Sequence, residues 1–312
     1  MHTSASSPHK AGLSLTAVLL AIFCNVLWGS AYPAIKIGYT LFQIDNQLFY
    51  KILFAGIRFF CAGLLVLCLT AVGQRKIPVV RKGSRHLVLL MAIIYTTLQY
   101  LFFYIGLSHT TGSNGSIFNS TTTFMSVILA HFLYADEKLT FQKIGGCLLG
   151  FLGVLFVTFR NQNAGFSFFG EGFILIAAAC FVIGSAMSKK AVQNNDSATV
   201  TGYNLLLGGG MLILIGLLGG GRLPVITPAG ILVLGYLILL STVAFTVWTA
   251  LLQNNPLGSL SVFNFIIPVS GTLLSAIFLR ENIWHWQYPV SLLLVCIGIF
   301  MVNSGKNGLN RV

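Results

Sequence analysis

Arg58 stands ten positions into an apolar run that begins near residue 48. A charge at that depth in a membrane segment pairs with another group or faces water. It therefore either attracts an anionic group of a ligand or anchors an acidic partner. Asn25, Trp28 and Tyr32 follow one another at spacings of three and four, which places them on one helix face, and Pro33 then removes a backbone donor. Aromatic walls with a few amides suit a mostly apolar pocket that accepts a polar end. The same residues also suit an interfacial aromatic belt with interhelical hydrogen bonds. Gln99 and Tyr100, with Phe103 and Tyr104, form a second polar-aromatic patch, and Trp248, after Thr242 and Thr246, is its expected counterpart. Asn119 and Asn264, with Ser116 and Ser261, either face a cavity or permit close helix packing. The candidate ligand-binding set is thus Asn25, Trp28, Tyr32, Arg58, Gln99, Tyr100, Asn119, Trp248 and Asn264.

Catalytic patterns are missing. The six histidines are scattered without metal spacing, and there is no HExxH, GxSxG or GxxxxGK[ST]. The acidic residues Asp45, Asp136, Glu137, Glu171, Asp196 and Glu281 all fall at expected helix ends or loops. The six cysteines lie inside apolar runs and form no CxxC pair, so they read as small buried hydrophobes. No enzyme activity, metal or cofactor is expected.

The elements that must position these residues are set by composition. The 312 residues are 56% hydrophobic and only 8% charged, with a mean hydropathy of +0.86. Soluble domains carry roughly 25% charged residues, so this chain is an all-α integral membrane protein. A span takes about 20 apolar residues, and ten runs are found. They lie near 13–37, 48–72, 87–108, 112–134 and 141–159, then 171–190, 200–219, 229–252, 258–279 and 287–303. The first run lacks an A-x-A cleavage pattern and reads as a retained helix rather than a signal peptide.

The net charge of +12 is gathered between the runs, which excludes a nucleic-acid surface as its best account. With the N-terminus cytoplasmic, the inner segments hold Lys10, Arg75, Lys76, Arg81, Lys82, Arg85, Lys138, Lys143, Lys189, Lys190, Lys306 and Arg311. The outer ones hold only Lys36, Lys51, Arg160, Arg222 and Arg280. This asymmetry puts both termini in the cytoplasm. Lys36 and Lys51 read as snorkelling residues at the outer surface.

Two stretches repeat. Ser116-Ile-Phe-Asn119 recurs as Ser261-Val-Phe-Asn264, 145 positions later, and Gly29-Ser30-Ala31 recurs as Gly184-Ser185-Ala186. The fourth and ninth helices carry matching stripes of small and polar residues, each followed by an acid, Glu137 and Glu281. Five helices per half is an odd number, so the halves, 13–159 and 171–303, enter the membrane from opposite sides. Inverted repeats of this kind are shared by many secondary transporters, with the ligand site near the midplane between halves.

Leu27-Trp28-Gly29-Ser30-Ala31-Tyr32-Pro33 resembles the opening of EamA-domain proteins of the drug/metabolite transporter superfamily. So do Ile57-Arg58-Phe59-Phe60-Cys61-Ala62-Gly63, the small-residue helix ending in Glu137-Lys138-Leu139, and the glycines Gly145, Gly146, Gly150 and Gly153. The resemblance spans residues 13–303 as two EamA-like units. It implies a ten-helix carrier of the cell inner membrane that exports amino acids, other metabolites or toxic compounds through a central cavity. A small-molecule substrate and the lipid bilayer are the expected partners, and a homodimer stays open. The alternatives are a sugar-phosphate or nucleotide-sugar carrier, which would favour at least two embedded basic groups, and a non-transporting membrane sensor or scaffold.

Overall fold

The computed structural model describes residues 13–44, 47–109, 118–135, 137–158, 167–279 and 286–304. They form ten helices: α1 (Leu15–Phe42), α2 (Leu48–Gln74), α3 (Lys82–Ser108), α4 (Thr121–Leu133), α5 (Phe141–Thr158), α6 (Phe168–Ala191), α7 (Ser197–Leu218), α8 (Pro228–Asn254), α9 and α10 (Gln287–Ser304). The ninth is assembled from Leu257–Ser261, a 3₁₀ turn at Val262–Phe265, and Ile266–Leu279. Seven of the ten are long and apolar enough to cross a membrane.

The ends are fixed by local chemistry. Ser14 Oγ accepts from Ala17 N at the start of α1, and Asp196 accepts from both Thr199 N and Thr199 Oγ1 at the start of α7. Thr227 caps α8 with Pro228 at its first position, where the missing N–H costs nothing. The first helix runs through Pro33 to Phe42, past the expected end at 37, and stops where Gln43 turns left-handed at φ 57°. Pro33 does not break it: the ring occupies one buried position in a continuous helix packed along α8 and α9.

Large apolar side chains point outward, among them Leu69, Phe132, Leu232 and Phe300. That is the reverse of a soluble fold and fits hydrocarbon as the solvent. Inside, glycines let backbones meet. Along α2 and α7, Gly56 lies against Ile213, Gly63 against Leu206, Gly209 against Phe60, and Gly216 against Leu53. Numbers rise on one helix as they fall on the other, so the pair is antiparallel. Gly56 and Gly209 are 153 positions apart, as are Gly63 and Gly216. The α5 and α10 helices meet in the same way at Gly146 and Gly298. Meanwhile α1 packs on α8 and α9, and α6 packs on α3 and α4. Exchanging each helix for the one five places along leaves this set of neighbours unchanged.

A Cβ at Gly63 would stand 2.3 Å from the backbone nitrogen of Leu206. Gly63→Val is therefore expected to lower stability by about 1–3 kcal/mol, the usual cost of overpacking. Gly73→Ala, whose Cβ meets nothing within 4 Å, should melt with the wild type. Equal melting of both variants in detergent would contradict the close α2–α7 contact.

Candidate functional site

The centre of the bundle is aromatic, and Phe245 of α8 is its hub. Its ring lies 5.3 Å from Trp28 of α1, 6.0 Å from Phe59 of α2 and 6.2 Å from Tyr95 of α3. Trp248, one turn along, meets Trp28 edge-on at 5.3 Å. Phe59 in turn lies tilted against Tyr100, with ring centroids 4.3 Å apart. Four helices thus converge on one patch of rings, held in the edge-to-face geometry that aromatic quadrupoles favour.

Several polar atoms in this interior have no hydrogen-bond partner among the described residues. They include Nε1 of both Trp28 and Trp248, Oδ1 of Asn25, Oε1 of Gln99, and both amide atoms of Asn264. A buried polar group without a partner costs roughly 1–3 kcal/mol. Such groups are rare in folded chains, and each calls for water or a ligand. Asn25 is half satisfied, since its Nδ2 donates to Ala21 O at 2.7 Å.

Arg58 is buried within the same region. Its Nε donates to Ser241 Oγ at 2.7 Å, and that hydroxyl in turn donates to Leu237 O at 2.8 Å. The guanidinium also sits 5.0 Å from the Phe59 ring centroid. Among the described residues no carboxylate pairs with it. Among the described residues Arg58 is therefore held by one neutral hydrogen bond, with no carboxylate beside it.

Trp28, Trp248, Tyr100 and Arg58 are brought together by these contacts. Tyr32, half-buried, lays its ring against the backbone of Gly271 in α9. Asn264 lies in the 3₁₀ turn of α9, beside α1. Thr123 Oγ1 of α4 donates to Ser261 O at 3.3 Å and Val127 lies against Gly258, so α4 and the start of α9 run antiparallel; Asn119, just before α4, is half-buried. Ser116 lies outside the described residues, as does Glu281. Gln99 is half-buried just beyond the π-helical segment Ala92–Leu98.

Sequence reasoning passed over Phe59, Phe245 and Tyr95. The π-helical segment explains the last of these. Its i→i+5 bonding brings residues five apart onto one face, so Tyr95 and Tyr100 both turn toward the rings. At ordinary helical spacing they diverge. The one signal available was Tyr95 itself, a polar aromatic in an apolar run.

A second constellation lies at one end of the bundle. Glu137, fully buried, accepts from Leu257 N and Gly258 N at 2.7 Å each and from Lys189 Nζ at 3.0 Å. Lys189 also donates to Asn255 O and sits over the Tyr134 ring. One carboxylate thus ties the segment after α4, the end of α6 and the first turn of α9. The sequence presented Glu137 as a loop acid and Lys189 as one more cytoplasmic charge. Among the described residues no group of three or more His, Cys, Asp and Glu side chains could hold a metal ion.

The EamA-like transporter family model matches residues 15–159 and again residues 168–304. The chain belongs to the EamA-like transporter family. It is a multi-pass membrane transporter. A protein of Archaeoglobus fulgidus named as an uncharacterized transporter is 28% identical over 86% of this chain and 91% of its own length. The transporter YvbV of Bacillus subtilis is 25% identical over 93% of this chain and 92% of its own. A chloroplastic WAT1-related protein of Arabidopsis thaliana is 25% identical, covering 88% of this chain and 66% of that one. One solved crystal structure superposes with a TM-score of 0.80 over 95% of this chain and 99% of its own, at 16% identity, which shows the shared fold.

Proposed function

We propose that this membrane transporter is a secondary carrier that exports a small organic solute, an amino acid or a similar amphipathic metabolite, by alternating access between two inverted five-helix halves. The observation that carries the reading is the set of indole and amide groups of Trp28, Trp248 and Asn264 that have no partner among the described residues, together with a buried Arg58 that no described carboxylate pairs. An apolar body stacks on rings, a carboxylate meets the guanidinium, and polar ends take up the orphan donors. One guanidinium suits a single anionic group better than a diphosphate, which weighs against a nucleotide-sugar substrate.

The exchange of helix neighbours between the halves supports an inverted repeat, as does the family model matching twice. Such repeats rock against one another around a fixed midplane site. In the orientation that the Lys and Arg distribution favours, Glu137 and Lys189 close the cytoplasmic end by pinning α9 to α6 and the segment after α4. This reading implies the cell inner membrane as location, with both termini in the cytoplasm.

A proteoliposome panel tests it. Labelled amino acids, aromatic carboxylates and aromatic cations are followed with and without a pH gradient. Saturable counterflow is expected for zwitterionic or monoanionic aromatic solutes, and weak flux for cations, which Arg58 repels. Folded protein that carries none of these classes would overturn the proposal.

A further inference from the structure

On the flank of the bundle, away from the ring cluster, α3, α4 and α6 leave a groove of about 780 Å³ open to the outside. Its walls are Leu87 from α3, Leu129 and Leu133 from α4, and Ile183 and Met187 from α6. Pockets of roughly 300–1,000 Å³ hold ligands of several hundred daltons. At one end of the trough stands Lys190, exposed and without a protein partner among the described residues. Lys189 beside it is already engaged by Glu137. Lys82 and Arg85, both exposed at the start of α3, add positive charge at the same end of that helix as Leu87.

We propose that this groove binds one anionic phospholipid, with an acyl chain laid along Leu129, Leu133 and Ile183 and the phosphate met by Lys190. Two features select this occupant. The trough is apolar and opens sideways among helices whose outer faces are lipid-facing, so its natural filling is hydrocarbon. Its cation lies in the last turn of α6, the level at which a bilayer presents phosphate. Basic residues near the membrane surface favour anionic over zwitterionic lipid. A soluble phosphate would have no use for the apolar floor. The inference depends on the proposed orientation only for which leaflet supplies the lipid, and it stands whether or not the transport reading holds.

Native mass spectrometry of the purified full chain tests it, with phosphatidylglycerol and phosphatidylcholine titrated separately. One saturable phosphatidylglycerol adduct is expected, with phosphatidylcholine binding weaker. Lys190→Gln should weaken phosphatidylglycerol about 5-fold, the usual worth of one basic residue at a surface. Leu133→Trp, at a half-exposed position that tolerates bulk without unfolding, should fill the trough and remove the adduct. Glycerol 3-phosphate should not displace the lipid. Equal binding of the two lipids, no effect of Lys190→Gln, or displacement by glycerol 3-phosphate would overturn the proposal. So would a dimer that Leu133→Trp dissociates without changing the lipid count, since the groove would then be an interface between copies.

Discussion

Glu137→Ala is expected to destabilise the protein by on the order of 3–5 kcal/mol, the cost of removing one partner from a buried ion pair. The carboxylate is fully buried and makes three contacts, with Lys189 Nζ, Leu257 N and Gly258 N. Its loss strands two first-turn N–H groups of α9, which have no helical acceptor of their own. Among the described residues it also leaves the Lys189 ammonium with only the Asn255 carbonyl and the Tyr134 ring. Glu137→Gln should cost less, because an amide oxygen still accepts from one of the two N–H groups. Lys189→Met should fall between them, since it keeps the helix cap and removes the charge. Thermal melting in detergent gives the order Ala, then Met, then Gln, and equal melting of all three would show that the carboxylate is idle. If the pair also closes one end of the carrier, a cysteine placed at Ser188, which is buried and packs beside Lys189 in sequence, should react faster with a soluble maleimide in the Glu137→Gln background.

Why this carboxylate was hidden in the sequence is a matter of range. Asp136-Glu137-Lys138 is locally indistinguishable from a solvated turn, and its partners Leu257 and Gly258 lie 120 and 121 positions away. Nothing within a window of ordinary length reports such burial. The ten helices were legible for the opposite reason. A membrane fixes both the length and the polarity of a segment, so each helix announces itself without its neighbours. Even so, the boundaries moved where tertiary packing decides them, as in α1, whose buried contacts extend to Phe42.

The site divides along the same line. Trp28, Trp248 and Arg58 were visible because an indole or a guanidinium is conspicuous in an apolar run. Phe59 and Phe245 were not, because a phenyl ring in a membrane helix looks like any lipid-facing side chain. Only the fold shows that Phe245 touches three other helices. Tyr95 was masked by backbone geometry, since the π-helical segment changes which residues share a face. Asn119 and Asn264 were paired by the repeat, and the structure shows that the segments carrying them meet through the Thr123–Ser261 bond.

The two tryptophans allow an experiment that separates stability from ligand affinity. Trp28→Phe and Trp248→Phe each keep a ring in the cluster and delete an N–H that has no acceptor among the described residues. An orphaned buried donor is a cost to the empty protein, so its removal offsets part of the cavity left by the smaller ring. Each variant should therefore melt within about 1 kcal/mol of the wild type, far less than the 3–5 kcal/mol that truncating a well-packed tryptophan costs. Ligand affinity should fall. If the N–H groups hydrogen-bond a transported solute, losing one bond of about 0.5–1.5 kcal/mol raises the half-saturating concentration roughly 2- to 10-fold. Counterflow in proteoliposomes reads that change, and thermal melting of the same preparations reads stability. A residue that only packs would show the reverse pattern, with lower melting and unchanged half-saturation. Trp248 is the sharper of the two positions, because it is almost fully buried and its ring packs edge-on against Trp28 alone among the described residues. A large loss of stability in Trp248→Phe with unchanged transport would therefore remove the indole pair from the site and leave Arg58 and Asn264 to carry it.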